Sequence, residues 1–223
     1  MPDRTGRLAL GLLALAVIGC GDGTGSPTAT GPRALEPGTY RSGSFQPQVT
    51  FTLPEGWYLP ADTPDYLGLQ PVSNELIGVH LFRDPLPGSQ DLACTTAQEP
   101  GVGTAALAIV TWARGLPGLV TSTPRPVTIG GLTGIEIDLA IADGWTASCP
   151  FANGLPTVPL FVGQTGESFR WVIAGSERLR LSLFDLPGGG TLVVDVDAYD
   201  GSYMDALLTM ATPIVGSLQL ATP

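Results

Sequence analysis

The stretch LRLSLFDLPGGGTLVVDVDAY, residues 179–199, is the strongest indication of the fold in this sequence. Two runs of alternating residues flank a glycine-rich turn at 187–190, and this pattern predicts a β-hairpin in an antiparallel sheet. Such a sheet has one apolar face and one face in solvent. The residues expected together on the apolar face are Leu179, Leu181 and Leu183 in the first strand and Leu192, Val194, Val196 and Ala198 in the second.

The same alternation recurs elsewhere along the chain. Three further strands are predicted in QVTFTL (48–53), LIGVHLF (76–82) and IEIDLAI (135–141), and another at 169–173. In IEIDLAI the isoleucines and the leucine point inward, so Glu136 and Asp138 are expected on the outer face.

Two segments show helical spacing instead. The first helix has its apolar residues at Ala106, Ile109, Val110 and Ala113, with Gly115 at the C-cap position. The second is expected to begin with a capping box, Ser202 and Asp205, and to be broken or kinked at Pro213. The fold class predicted is therefore α+β, an antiparallel β-sheet of about five or six strands covered by two helices. The stripe of the second helix is Met204, Leu207, Leu208 and Ala211, continued by Ile214, Val215 and Leu218.

The N-terminus has the pattern of an export signal. Arg4 and Arg7 precede an uncharged apolar segment at 8–18, which as a helix would rise roughly 16 Å and is too short to span a bilayer. The segment after Cys20 is rich in Gly, Ser, Thr and Pro and predicts a flexible linker. We expect a signal peptide at 1–19, a lipidated Cys20 with its linker at 20–38, and one extracytoplasmic domain at 39–223.

Residues Val17-Ile18-Gly19-Cys20 resemble the lipobox of bacterial lipoproteins. The resemblance implies cleavage before Cys20 and a thioether-linked diacylglycerol on that residue, so that the membrane is a partner through a lipid anchor. The alternative is an ordinary leader that ends in an incidental cysteine. With the anchor, the protein lies on the cell membrane and faces the extracytoplasmic side.

The remaining cysteines, Cys94 and Cys149, predict a disulfide if the chain is exported to an oxidising compartment. A metal site or a reactive thiol is the alternative. Neither cysteine has a CxxC neighbour, and His80 is the only histidine, which argues against both.

The formal net charge is −10, and all ten basic residues are arginine. Such a surface repels phosphate backbones, which argues against nucleic acid as a partner. Because the chain contains no lysine, P-loop and Schiff-base mechanisms are excluded. No cofactor or metal is expected.

Few residues suggest catalysis. There is no G-x-S-x-G motif, and His80 lies within a predicted strand, where a satisfied or exposed histidine is the ordinary outcome. DVDAYDG (195–201) is similar to a calcium loop, but Asp195 and Asp197 in a strand simply share the solvent face. Glu136 and Asp138 also share a face, which leaves open a glycosidase-like pair of carboxylates.

Three aromatic residues are candidates for ligand binding. Trp57 and Tyr58 follow a predicted strand, and Trp145 lies close to Cys149 in sequence. Exposed rings at these positions would stack on a sugar, whereas buried rings would only complete the core.

Four further stretches are similar to secreted bacterial lipoproteins of the actinobacterial type: PGTYRSGSFQPQVTFTLPEGW (37–57), GVGTAALAIVTWARGLPGL (101–119), STPRPVTIGGLTGIEIDLAIADGWTASCPF (122–151) and VVDVDAY (193–199). The order of elements resembles the PsbP-like fold of LpqN-type lipoproteins. Neither resemblance implies a catalytic residue. We therefore expect a non-catalytic domain that binds a small molecule or an envelope protein; the alternative is a carboxylate-based hydrolase acting on envelope or secreted carbohydrate.

Overall fold

The computed structural model describes residues 28–29, 35–72, 76–165 and 169–221. These residues form fifteen strands in three sheets, two α-helices and a 3₁₀ turn at Gly201–Tyr203. The helices are α1 (Ala106–Gly115) and α2 (Met204–Ser217). The strands are β1 (Thr28–Ala29), β2 (Gly38–Ser42), β3 (Val49–Leu53), β4 (Trp57–Asp62), β5 (Tyr66–Pro71), β6 (Ile77–Arg83), β7 (Leu86–Pro87), β8 (Leu119–Thr121), β9 (Arg125–Ile129), β10 (Leu132–Ile141), β11 (Thr157–Val162), β12 (Arg170–Ala174), β13 (Arg178–Asp185), β14 (Thr191–Ala198) and β15 (Gln219–Leu220).

The largest sheet is antiparallel and is called the central sheet here. Its strand order is β4-β5-β6-β14-β13-β10-β8, and β9 pairs with the first half of β10. The second sheet has the order β1-β2-β3-β15, in which only β1 and β2 are parallel. The third sheet has the order β12-β11-β7.

Two hydrophobic cores lie on opposite faces of the central sheet. In the first core, side chains of the second sheet and α2 pack on one face; in the second core, side chains of α1 and the third sheet pack on the other. Strand β14 contributes Val194 and Val196 to the first core and Val193 to the second, so the whole strand is buried. The central sheet therefore has no open solvent face along β14.

This arrangement corrects the predicted faces of the hairpin. Leu181 pairs with Asp195 and Leu183 pairs with Val193, and residues directly opposite each other in an antiparallel pair point to the same face. The leucines of β13 therefore face the second core, whereas Val194 and Val196 face the first. The prediction was wrong because alternation separates the two faces within each strand, but it does not show which face of one strand lies on the same side of the sheet as a given face of its neighbour.

The other long strands and the class of the fold agree with the sequence. Strands β3, β6 and β10 overlap the predicted segments, although β10 begins earlier, at Leu132, and the two helices are present in an α+β fold. The predicted number of five or six strands is too small. Several of the additional strands have only two or three residues, too few to show a period in the sequence.

The helices bury the predicted faces, but the ends of α2 differ. Helix α1 buries all four predicted residues, and it ends at Gly115 with Leu116 as the C-cap. The predicted capping box of Ser202 and Asp205 is wrong: the N-cap of α2 is Tyr203, which makes no side-chain cap hydrogen bond, and the Ser202 backbone N–H donates to Asp200 in the preceding 3₁₀ turn. Helix α2 also continues through Pro213, which is exposed on the helix face away from the core. The carbonyl that loses its partner there faces solvent, while the opposite face stays packed.

Part of the predicted linker belongs to the folded domain. Leu35 is buried in the first core, and its backbone N–H donates to the carbonyl of Trp57 at 3.0 Å. The backbone of β1 pairs with β2 beside Arg41 and Ser42. The predicted signal peptide at 1–19 and Cys20 lie outside the described residues. Among the described helices, none is both long and apolar enough to cross a membrane.

Cys94 and Cys149 form a disulfide, as the sequence predicts, with an S–S distance of 2.02 Å. The bond joins the segment after β7 to the segment before β11. Both cysteines are buried. The disulfide therefore links two of the segments that flank strands of the third sheet.

Candidate functional site

The chemically most unusual part of the molecule is a buried set of carboxyl groups, which we call the acidic cluster. It consists of Asp195 and Asp197 on β14 and Glu177 in the turn between β12 and β13, together with His80 on β6. The exposed fractions of these four residues are 0%, 7%, 6% and 2% in that order. Asp195 and Asp197 were predicted on a solvent face, and that prediction is wrong because the third sheet covers them.

The cluster residues contact one another and two aromatic side chains. Asp197 Oδ1 lies 2.8 Å from His80 Nε2, and His80 Nδ1 lies 2.8 Å from Tyr66 Oη. The first contact is close enough for an ion pair, but the ring N–H does not point along a hydrogen-bond direction to this oxygen. On the other side, Trp171 Nε1 donates to Asp195 Oδ2 at 2.9 Å. His80 is thus a buried strand histidine that hydrogen-bonds Tyr66 and contacts Asp197.

Two glycines make room for these rings. Gly68 lies opposite His80 on the neighbouring strand, and Gly78 lies opposite Asp197. A Cβ atom on Gly78 would be 2.5 Å from His80 Nε2, and one on Gly68 would be 3.0 Å from Tyr66 Oη. His80 therefore reaches Asp197 by lying over Gly78, and Tyr66 reaches His80 by lying over Gly68. A glycine inside a strand is the signal in the sequence that points to such a close approach.

Replacement of Gly78 tests this geometry. We expect Gly78→Ala to lower the free energy of unfolding by about 2 kcal/mol, because the new methyl group displaces the His80 ring and also meets the Leu69 carbonyl. Denaturant titration measures the loss. Gly115→Ala, where a Cβ meets nothing within 4 Å, is the control. Equal stability of the two variants would contradict the arrangement.

Burial dominates the electrostatics of the cluster. Burial and the nearby Asp197 raise the pKa of Glu177 to about 8. Burial, Asp197 and Glu177 likewise raise the pKa of Asp195 far above its usual range, although the hydrogen bond from Trp171 opposes them. The pKa of Tyr66 is also raised, by burial first and then by Asp197 and Asp195. These groups therefore hold protons at neutral pH, where exposed carboxyls have lost theirs.

The calcium hypothesis does not fit this geometry. Asp200 is exposed and binds the Ser202 backbone N–H, whereas Asp195 and Asp197 are enclosed in the second core. Across the described ranges, no group of three or more His, Cys, Asp and Glu side chains is placed to bind a metal ion.

Glu136 and Asp138 belong to a network of ion pairs. Arg125 Nη2 lies 2.6 Å from Glu136 Oε1, and Arg180 Nε lies 2.6 Å from Asp138 Oδ1. Burial alone would raise the pKa of Asp138, but hydrogen bonds from Arg180 and Arg125 outweigh burial and hold this pKa below its usual value. A glycosidase acid needs the opposite shift, so this pair suits a structural role across β9, β10 and β13.

The three candidate aromatic residues are not brought together. Trp57 is buried in the first core, and the Tyr58 hydroxyl donates to Gln70 Oε1 at 2.7 Å. Trp145 lies on the other side of the central sheet, where its Nε1 donates to the Thr157 carbonyl at 3.0 Å. It also lines a cavity of about 240 Å³ beside Cys94. These rings complete the cores and do not form a common stacking surface.

An open cleft lies at the end of the central sheet where β6 ends and β14 begins, and we call it the hairpin cleft. Its volume is about 820 Å³. Arg83 is the one charged residue in its lining, and its charge is compensated: Nε lies 3.2 Å from Asp84 Oδ2, and Nη2 donates to the Gly189 carbonyl at 3.0 Å. The acidic cluster does not contribute to the lining. The cleft is formed by residues 46–48, 130–132 and 186–189 with Arg83, Leu220 and Ala221.

Sequence reasoning missed the hairpin cleft. Its walls come from turns that are far apart in the chain, at 130–131 and 186–189, and from the C-terminal segment. The glycine-rich turn at 187–190 predicts a hairpin but gives no indication of the other two walls.

No protein-family model matches this chain, and no curated protein matches it. Among solved structures, the chain is similar to the cyanobacterial PsbP protein CyanoP from Synechocystis sp. PCC 6803, with 10% identity, 92% of this chain and 99% of that chain covered, and a TM-score of 0.45. It is also similar to LpqN, involved in cell envelope biogenesis of Mycobacterium tuberculosis, with 16% identity, 78% and 83% covered, and a TM-score of 0.40. A Bacteroides thetaiotaomicron protein has 8% identity, 78% and 45% covered, and a TM-score of 0.36.

Both protein types that the sequence resembles, PsbP-like and LpqN-type, are thus among the similar structures. The resemblance to lipoproteins of the actinobacterial type remains a prediction. Function must be argued from the residues of this chain.

Proposed function

We propose that this protein is a lipid-anchored extracytoplasmic protein whose domain binds a small molecule or an envelope protein in the hairpin cleft without transforming it. The observation that carries the proposal is the cleft itself. Its volume of about 820 Å³ lies within the range of about 300–1,000 Å³ that is typical of ligand sites.

The lining determines the kind of ligand that fits. Leu132, Leu186 and Leu220 supply apolar side chains, and the glycine turns expose backbone groups that donate and accept hydrogen bonds. The positive charge of Arg83 is paired with Asp84, so the cleft does not require an anionic ligand, but the buried Arg83 Nη1 has no hydrogen-bond partner among the described residues and can donate to an oxygen of a ligand. These features favour an uncharged, largely apolar group, either a free molecule or a side chain of a partner protein.

The proposal of a lipid anchor is based on the N-terminal sequence. The disulfide supports an oxidising, extracytoplasmic compartment. A buried disulfide is typical of proteins that fold in an oxidising environment, which is where an exported lipoprotein resides. Mass spectrometry of the native protein tests the anchor directly. We expect a mature chain that begins at Cys20 with acyl groups attached; an unmodified chain that begins at Met1 would contradict this part of the proposal.

Filling the cleft tests the binding site. We expect Gly188→Trp to weaken the binding of the uncharged dye Nile red at least about tenfold, because an indole at this position occupies the cleft. A Cβ on Gly188 meets nothing within 4 Å, so the substitution is compatible with the fold. Fluorescence titration gives the dissociation constant.

Gly216→Trp is the matched control. Gly216 is exposed on α2, a Cβ there also meets nothing within 4 Å, and it is not part of the cleft lining. The control should bind the dye as the wild type does. Equal weakening in both variants, or no weakening in Gly188→Trp, would show that the cleft is not the binding site.

A further inference from the structure

The acidic cluster lies where the third sheet meets the central sheet. Trp171 on β12 donates to Asp195 on β14 at 2.9 Å, and the Ala174 backbone N–H at the end of β12 donates to Glu177 Oε2 at 2.7 Å. Two buried carboxyl groups therefore bind the same strand of the third sheet. Their charge affects how firmly that strand is held.

The groups around these carboxyls cannot neutralise them all. One imidazole, His80, balances at most one of the three carboxylates, and the buried Asp195 Oδ1 has no hydrogen-bond partner among the described residues. Burial of an unpaired carboxylate is costly, so the remaining carboxyls must hold protons. The polar and titratable groups that face them are His80 from β6, Tyr66 from β5, and Trp171 from β12, with Tyr58 from β4 acting on Tyr66. From β13 they meet Leu179 and Leu181.

We propose that the acidic cluster is a proton-dependent latch, which holds the third sheet against the central sheet while Glu177 is protonated and loosens β12 when Glu177 ionises. Glu177 and Asp197 are both buried in the cluster, and the charge of Asp197 raises the pKa of Glu177, so a proton on Glu177 keeps one of the two carboxyl groups neutral. Loss of that proton leaves two like charges in a buried site. The repulsion is relieved only when β12 moves outward or water enters.

The direction in which pH changes the stability of the latch follows from the raised pKa of Glu177. The pKa of Glu177 is raised in the folded protein, to about 8, by burial and by Asp197. A carboxyl group with a raised pKa stabilises the fold at low pH, and this stability is lost as the pH rises through the raised value. The latch is therefore closed in acidic and neutral surroundings and opens in alkaline ones. This inference does not depend on the proposed binding function.

Hydrogen exchange of the mature chain tests the latch. In the wild type we expect amide exchange in residues 170–174, corrected for the intrinsic effect of pH, to increase at least about tenfold between about pH 6 and pH 9.5. Strand β3, in the second sheet, should not change. In Glu177→Gln the increase should disappear, because the amide preserves the shape and hydrogen bonds of the protonated acid without ionising.

Glu55→Gln is the matched control, since Glu55 is exposed in the turn between β3 and β4. It should show the wild-type pH dependence. If Glu177→Gln does not fold, Asp195→Asn removes a second buried charge from the same cluster and should reduce the alkaline increase. The same pH dependence in wild type and in a folded Glu177 or Asp195 variant would overturn the proposal, as would an increase that is equal in β3 and β12.

Discussion

Removal of the disulfide should lower the free energy of unfolding by about 4 kcal/mol, because the bond closes a loop with a sequence separation of 55 residues and so restricts the unfolded chain. The change is Cys94→Ala together with Cys149→Ala. Denaturant titration of the wild type and of the double variant, under non-reducing conditions, measures the difference. The disulfide joins segments that flank β7 and β11, and Cys94 lies beside Trp145, which packs against the second core, so we also expect faster exchange in the third sheet than in the second sheet.

Reduction of the wild type provides the control. With a thiol reductant present, the wild type should approach the stability of the double variant, while the double variant itself should not respond. Equal stability of wild type and variant without reductant would show that the bond does not contribute to the fold.

Gly134→Ala should cost about 3 kcal/mol of unfolding free energy, because β10 lies against its neighbour β13 with no space for a side chain at this position. A Cβ on Gly134 would lie 2.2 Å from the Leu183 carbonyl oxygen and 2.5 Å from the Phe184 ring. The carbonyl belongs to the backbone, so no change of side-chain rotamer relieves the contact. The denaturation midpoint measures the loss.

Gly216→Ala gives the opposite sign and serves as the comparison. Gly216 lies on the exposed face of α2, where a Cβ meets nothing within 4 Å, and alanine is expected to stabilise the helix by about 0.5–1 kcal/mol. Similar stabilities for Gly134→Ala and Gly216→Ala would mean that β10 and β13 are further apart than described.

The acidic cluster shows where sequence reasoning fails and why. Aspartates that alternate with valines are usually solvent-facing, and for one strand this is the reasonable expectation. On β14 the opposite holds, because the face with Asp195 and Asp197 is covered by the third sheet, whose strands β11 and β12 follow β10 in the chain. The glycines Gly68 and Gly78, which lie inside strands, do indicate that another group lies close to the backbone at these positions. They do not indicate which group that is.

The hairpin cleft shows the same limit for binding sites. Each of its turns could be predicted from local glycines, but the distance between the turns depends on strand order and register. The candidate aromatic residues were chosen because rings are frequent in ligand sites, and here they are parts of two separate cores.

The antiparallel hairpin of β13 and β14, the buried faces of both helices and the pairing of Cys94 with Cys149 could all be predicted from the amino-acid sequence. These features depend on local periodicity and on a count of cysteines, which a linear chain displays directly. The local pattern does not show that β14 is buried on both faces, that its carboxyl groups lie inside, or that residues 46–48, 130–132 and 186–189 meet the C-terminal segment in one cleft. These features depend on which elements pack on each face of the central sheet. A strand shows the same two-residue period in its sequence whether its second face is exposed to water or covered by another sheet.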